Sequence, residues 1–206
     1  MILETTLITL SVIILFLILL KIFHKFIFLR DPERKIPKGK NIVSPADGKV
    51  MQIIDTNKHS ITMKKHFGKI HTLIQDISSE CKIVSIFMSP LNVHINRAPI
   101  EGTVKTITYK KGKFLPTNSF ERGLNNEKNE IIIQNKKIKI KTIQIAGILA
   151  RRIECFLKPN QKVIKGQRIG LINLGSQLVL IMPNKVNLRV KQNQKVKAGE
   201  TIIANY

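Results

Sequence analysis

Asn160-Gln161-Lys162-Val163, followed by Gly166 and Ile169, recurs 33 residues later as Asn193-Gln194-Lys195-Val196, followed by Gly199 and Ile202. A second pair stands upstream, where Pro45-Ala46-Asp47-Gly48-Lys49-Val50 is echoed by Pro99-Ile100-Glu101-Gly102-Thr103-Val104. Each unit sets a glycine, for which positive φ is cheap, in a turn that leads to a β-branched strand. Around these repeats lie short β-branched runs cut by Gly, Pro and Asn, at 42–43, 50–54, 82–88, 103–109, 130–133, 138–145 and 177–182. Lys137-Ile138-Lys139-Ile140-Lys141 alternates strictly, which predicts a half-buried strand. No long stretch after residue 30 has a 3.6-residue apolar period, and the one helix suggested there is short, over 90–96.

The body, residues 30–206, therefore reads as mainly β. Its paired hammerhead turns resemble the lipoyl/biotinyl-like domains, so the expected fold is barrel-sandwich-hybrid-like. A lipoyl or biotinyl carrier needs an acceptor lysine on a tight hairpin, commonly beside Met or Asp, and no such lysine is found.

The N-terminus reads differently. Residues 5–20 carry no charge and are mostly Leu, Ile, Val and Phe. As a helix these residues reach about 24 Å, somewhat short of a hydrocarbon core of about 30 Å. Lys21 and Lys25 can snorkel, which extends the usable length to Leu29. No small-x-small cleavage site follows, and Glu4 stands where a signal peptide carries Lys or Arg. Residues 1–29 are thus expected to be a membrane anchor built on a transmembrane helix. Arg30, Arg34, Lys35, Lys38 and Lys40 follow at once, and Pro32 and Pro37 mark a linker. The positive-inside rule then places the body on the cytoplasmic face of the cell (inner) membrane.

Composition narrows the partners. The 206 residues hold 35 Lys+Arg against 13 Asp+Glu, for a net charge of +22. Lys and Ile are enriched together, 27 and 35 residues against 6 Ala, as AT-rich coding produces, so part of that charge carries no function. The remainder suits a polyanion, either nucleic acid or an anionic membrane. With no Trp and 5% aromatics, a base-stacking platform is poorly supplied, and no nucleic-acid partner is expected. Two cysteines exclude a disulfide scaffold or a four-thiolate zinc site. His59, His66 and His71 lie among Lys58, Lys64, Lys65 and Lys69, which oppose a cation, so no metal is expected.

Three segments carry chemistry. In Ser44-Pro45-Ala46-Asp47-Gly48 a carboxylate sits beside a glycine turn, where it can orient a base or simply accept backbone N–H bonds. In 88–99, His94 can move protons near neutral pH or be a satisfied structural histidine, and Arg97 could bind a carboxylate or phosphate. In Leu174-Gly175-Ser176, Gly before Ser usually means a turn. It is also what self-processing requires. The serine oxygen reaches the preceding carbonyl only if the peptide is strained and unobstructed, and glycine removes the side-chain obstacle. Arg151-Arg152 is a pair suited to a lipid phosphate or carboxylate, or a solvated pair near a strand end.

Six segments in order, FLRDPER (28–34), VSPADGKV (43–50), MSPLNVHINRAPIEG (88–102), NEKNE (126–130), QIAGILARRI (144–153) and LGS (174–176), resemble the pyruvoyl-dependent phosphatidylserine decarboxylases in their short, archaeal-type form. The resemblance covers nearly all of the body. It implies a proenzyme in which Ser176 Oγ attacks the Gly175 carbonyl. The resulting ester is eliminated, and the chain splits into 1–175 and 176–206. The new N-terminus becomes a pyruvoyl group derived from Ser176, which forms a Schiff base with the amine of phosphatidylserine and takes up the electrons released with CO₂. Asp47 and His94 are implied as acid/base partners. Long-form members have two histidines in the segment matching 94–97, whereas here the second position is Arg97. Either His94 serves both processing and decarboxylation, or Asp47 acts on Ser176 with less help. The implied partners are phosphatidylserine in an anionic membrane and the other cleavage product, as a heterodimer, with a homo-oligomer left open. Two readings compete: a catalytically inactive, membrane-anchored barrel-sandwich adaptor, and a basic nucleic-acid-binding protein.

Overall fold

The computed structural model describes residues 2–57, 67–117, 119–148, 152–173 and 175–206. The chain opens with helix α1 (Ile2–Ile22), continued by a wider π-helical turn, Phe23–Phe28. The body runs through β1 (Asn41–Val43), β2 (Gly48–Asp55), helix α2 (Phe67–Ile74), β3 (Cys81–Met88), β4 (Ile95–Arg97), β5 (Gly102–Lys110) and the short helix α3 (Phe120–Gly123). It continues with β6 (Lys128–Gln134), β7 (Lys139–Ile145), β8 (Ile153–Cys155), β9 (Lys162–Val163), β10 (Arg168–Ile172) and β11 (Ser176–Pro183), and closes with β12 (Asn187–Leu188), β13 (Lys195–Val196) and β14 (Ile202–Asn205). Every strand expected from the sequence is present.

An antiparallel sheet in the order β13-β2-β3-β11-β7-β6-β5-β9 curls into a half-barrel. Two three-stranded sheets, β4-β10-β8 and β1-β14-β12, complete the body. The repeats explain the closure. The turn at Asn193 docks on the strand after Asp47, with Val50 N donating to Gln194 O at 2.9 Å and Asn193 N to Val50 O at 2.8 Å. The turn at Asn160 docks on the strand after Glu101 in the same way, with Val104 N to Gln161 O at 2.9 Å and Asn160 N to Val104 O at 2.8 Å. Asn160 and Asn193 take φ values of 66° and 70°, and Gly166 and Gly199 take 81° and 77°, so the two hammerheads share one backbone. Asparagine tolerates this region because its short side chain bonds locally.

Two corrections to the sequence reading concern helices. Residues 90–96 are not helical. A turn closed by Asn92 N to Ser89 O at 2.9 Å, with the Asn92 side chain accepting from Ser89 N and Oγ at 2.8 Å, leads into β4. Helix α2, in contrast, lacked a legible period because it is only eight residues long. It buries Ile70, Leu73 and Ile74 over the outer face of the sheet. That cover changes β7 as well. Although its lysines and isoleucines alternate, Lys141 is 1% exposed, held by Asp76 at 2.7 Å, Glu130 at 3.4 Å and the Leu73 carbonyl at 2.8 Å. The strand is buried on both faces. β11 divides its side chains likewise, with Leu178, Leu180 and Met182 facing the main core and Val179 and Ile181 packing toward α2.

Among the described residues one helix, Leu3–Phe28, is long and apolar enough to cross a membrane, with a mean hydropathy of 2.7. Its Leu, Ile and Phe side chains are exposed from Leu3 to Ile27, half-buried Phe23 apart, as an anchor surrounded by lipid requires. Phe28 then turns inward and is buried.

Candidate active site

Ser176 is the first residue of β11, the central strand between β3 and β7, and pairs with Met88 at the end of β3. It is fully buried, and its hydroxyl lies 3.6 Å from the Met88 sulfur. Asn96 Nδ2 approaches the same sulfur at 3.8 Å. Behind Asn96 runs a buried amide chain. Gln144 Nε2 donates to Asn96 Oδ1 at 2.9 Å, and Asn129 Nδ2 donates to Gln144 Oε1 at 3.0 Å. Each amide thus fixes the next, and Asn96 stays oriented at the Met88 sulfur.

Gly175, just before the serine, has φ +64°. A Cβ added there would meet nothing within 4 Å, so the need for glycine is conformational and not a matter of space, unlike the expectation of a removed obstacle. Its carbonyl is crowded instead. Thr117 Oγ1 donates to Gly175 O at 3.0 Å, and a Cβ placed on Gly147 would come within 1.7 Å of that oxygen. Leu174 and Arg151 lie outside the described residues, as do His59 and His66.

His94 is fully buried, between the turn at Asn92 and β4. Its ring packs on Phe28 with centroids 4.1 Å apart, and Phe28 stacks on His24 at 5.4 Å. Among the described residues neither ring nitrogen finds a hydrogen-bond partner of normal geometry. Burial pushes the His94 pKa down to about 4, the Asn92 backbone offsets part of this, and the Arg30 cation adds to the lowering. At neutral pH the ring is therefore uncharged and able to accept a proton. Arg30 donates to the carbonyls of Ile27 and Leu91, which joins the end of the anchor to the loop before His94.

The other charged candidates sit in ion pairs. Asp47 receives two bonds from Arg34, at 2.9 and 3.0 Å, and one from Ala198 N at 2.7 Å. Arg97 is 5% exposed and donates to Asp31 Oδ1 at 2.6 Å and to the carbonyls of Gly166 and Pro32 at 3.1 and 3.2 Å. Both fasten the 30–41 linker to the body. Arg152 is solvent-exposed, with Glu154 at 3.5 Å. The structure thus puts Thr117 and Gly147 at the Gly175 carbonyl and Met88 at the Ser176 hydroxyl, with Asn96 and Gln144 behind Met88. None of these five was singled out from the sequence, although all but Thr117 lie inside the quoted segments.

The family model for phosphatidylserine decarboxylase matches residues 23–204. The chain is 43% identical over 180 residues to the phosphatidylserine decarboxylase proenzyme of Chlorobium phaeobacteroides, covering 87% of this chain and 77% of that one. It is 44% identical over 180 residues to the proenzyme of Wolbachia pipientis, covering 86% and 74%, and 40% identical over 194 residues to that of Chlorobium limicola, covering 94% and 84%. Matches of this length and identity, on a chain whose Gly-Ser peptide opens the central strand of the sheet, show that it belongs to the phosphatidylserine decarboxylase family.

Proposed function

We propose that this chain is a proenzyme that cuts itself between Gly175 and Ser176 and then decarboxylates phosphatidylserine to phosphatidylethanolamine in the membrane. The observation that carries the reading is the Gly175–Ser176 peptide itself. A positive-φ glycine with a hydrogen-bonded carbonyl precedes a serine hydroxyl kept from water. Shielding matters because water would otherwise compete for the carbonyl, and a hydroxyl in a dry site attacks without losing a hydration shell. The reaction would leave its product group at the same place, the start of β11. A pyruvoyl group made from Ser176 supplies a ketone that captures an amine and withdraws the electrons left when CO₂ departs.

His94 is the candidate proton carrier in this scheme, since burial keeps its ring neutral and able to accept a proton, although the same burial makes it a weak base. Asp47 is its candidate partner for processing, and reaching it would mean exchanging at least one of the Arg34 bonds. Arg97, Arg151 and Arg152 are candidates for the lipid phosphate or carboxylate; of these Arg152 is exposed and Arg97 is engaged with Asp31. The anchor residues 1–29 and the basic flank hold the body, 30–206, at the cytoplasmic face of the cell membrane. Packing of Phe28 on His94 supports a site near the end of the anchor, where a headgroup would be within reach without the lipid leaving the bilayer.

Denaturing mass spectrometry of the purified chain tests the reading. Two products, 1–175 and 176–206, are expected, the smaller with a blocked N-terminus, and Ser176→Ala should stay whole and inactive. An intact wild-type chain of 23.4 kDa would instead favour the inactive membrane adaptor.

A further inference from the structure

Among the described residues the Gly175 carbonyl has one side-chain donor, Thr117. Thr117 is 3% exposed and lies in the stretch between β5 and α3, 58 residues from Gly175 in sequence. Its placement is built by Asn126. The Asn126 side chain accepts from Leu115 N at 2.9 Å and donates to Leu115 O at 2.7 Å, which fixes the backbone two residues before Thr117. The same Asn126 Nδ2 donates to Ala146 O at 2.8 Å, which fixes the residue before Gly147. One buried amide thus sets both groups that touch the Gly175 carbonyl. Gly147 contributes by lacking a Cβ, because any side chain there would collide with the oxygen at 1.7 Å.

We infer that Thr117 is the hydrogen-bond donor that polarises the Gly175 carbonyl for attack and holds its oxygen as charge develops, with Asn126 and Gly147 as positioning residues. The inference rests on the proposed self-cleavage at Ser176. Ser176 Oγ bonds to the Gly175 carbonyl carbon and gives up its proton to the base, while the carbonyl π pair moves onto the oxygen held by Thr117. When that pair returns, the carbon–nitrogen bond breaks and the Ser176 nitrogen takes the proton, leaving an ester and a free amine. The base then removes the Ser176 Cα proton, the Cβ–Oγ bond breaks, and Gly175 leaves as a carboxylate with one oxygen still at Thr117. The dehydroalanine left behind takes up water and loses ammonia. A neutral hydroxyl suits both stages. It strengthens its bond as the oxygen gains charge, yet does not fix a charge beside a resting peptide.

The test follows the splitting of newly made full-length chains on denaturing gels. Thr117→Ala removes the donor without adding bulk and should slow splitting roughly 100-fold, the scale for loss of one oxyanion donor. Thr117→Ser keeps the hydroxyl and should split near the wild-type rate. In an uncleavable Ser176→Ala background, Thr117→Ala should melt with its parent, which separates chemistry from folding. Wild-type splitting by Thr117→Ala, a Thr117→Ser chain as slow as Thr117→Ala, or slow splitting matched by a lost melting transition would each overturn the role. Splitting that persists in Ser176→Ala would instead remove the self-cleavage reading itself.

Discussion

The two hammerheads share turns, φ angles and hydrogen bonds, yet differ in what their loops carry. In one, Asp47 is buried under Arg34 and bonded to Ala198 N. In the other, the matching Glu101 is exposed, and the residue opposite it, Lys165, bonds outward to Gly39 O and Asn41 Oδ1. The shared part is backbone geometry, which any compatible sequence satisfies. The differing part is one buried carboxylate, placed where the linker from the anchor crosses the body. A duplicated frame thus leaves one copy free to take on a special group while the other keeps only the structural task.

The largest test asks whether the two frames are equivalent. A Cβ on Gly48 would sit 2.2 Å from the Phe87 carbonyl, and one on Gly102 would sit 2.5 Å from the Gln134 carbonyl. Both contacts are with backbone that cannot swing aside. Gly48→Ala and Gly102→Ala should each destabilise by more than about 3 kcal/mol, read as lost yield of folded chain and a lowered melting point. Tolerance of only one would break the equivalence.

Next in size is the difference itself. Asp47→Ala leaves the Arg34 guanidinium, 5% exposed, with only Glu200 at 3.8 Å. In the Ser176→Ala background it should cost about 2–4 kcal/mol, toward the low side of breaking a buried pair. Glu101→Ala should stay within about 0.5 kcal/mol. Equal effects on thermal unfolding would erase the distinction between the copies.

A pH scan of the wild-type chain against His94→Gln then reads His94, because the groups the two chains share titrate alike. Unfolded, His94 binds a proton below about pH 6.5, whereas folded it resists protonation down to about 4. The stability of keeping it neutral is complete above pH 6.5 and is lost as pH falls from 6.5 to 4. The loss should be on the order of 2–3 kcal/mol, and His94→Gln should remove that part of the slope. Parallel pH curves for the two chains would show that His94 is not held neutral.

Much of the frame was legible because turn chemistry is local. Asn-Gln-Lys-Val with its later glycine announces a turn and a strand within ten residues, and the strands followed. The helix α2 was not legible, since Ile70, Leu73 and Ile74 give a single turn of pattern. For the candidate site, Ser176, Gly175, His94 and Asp47 are named from motif order, and their roles remain proposals. Thr117 and Gly147 could not be picked out, since they meet Gly175 only through the three bonds of Asn126. Nothing in a threonine or a glycine taken singly signals such a convergence.

The position of β11 has a consequence for the proposed two-piece product. Residues 176–206 hold β11 and β13 of the half-barrel together with β12 and β14 of a smaller sheet, and β11 is flanked on both sides by strands of the larger piece. A cut before Ser176 removes no strand pairing, since Ser176 itself is the first paired residue. Yet it changes the molecularity of folding. The uncut chain closes its half-barrel as one molecule, whereas the separated pieces would have to meet in solution before the central strand could find its place. Once unfolded, the mature pair should therefore regain its structure in a concentration-dependent way, far more slowly than the precursor. Its durability would rest on an unfolding barrier inherited from the intact chain.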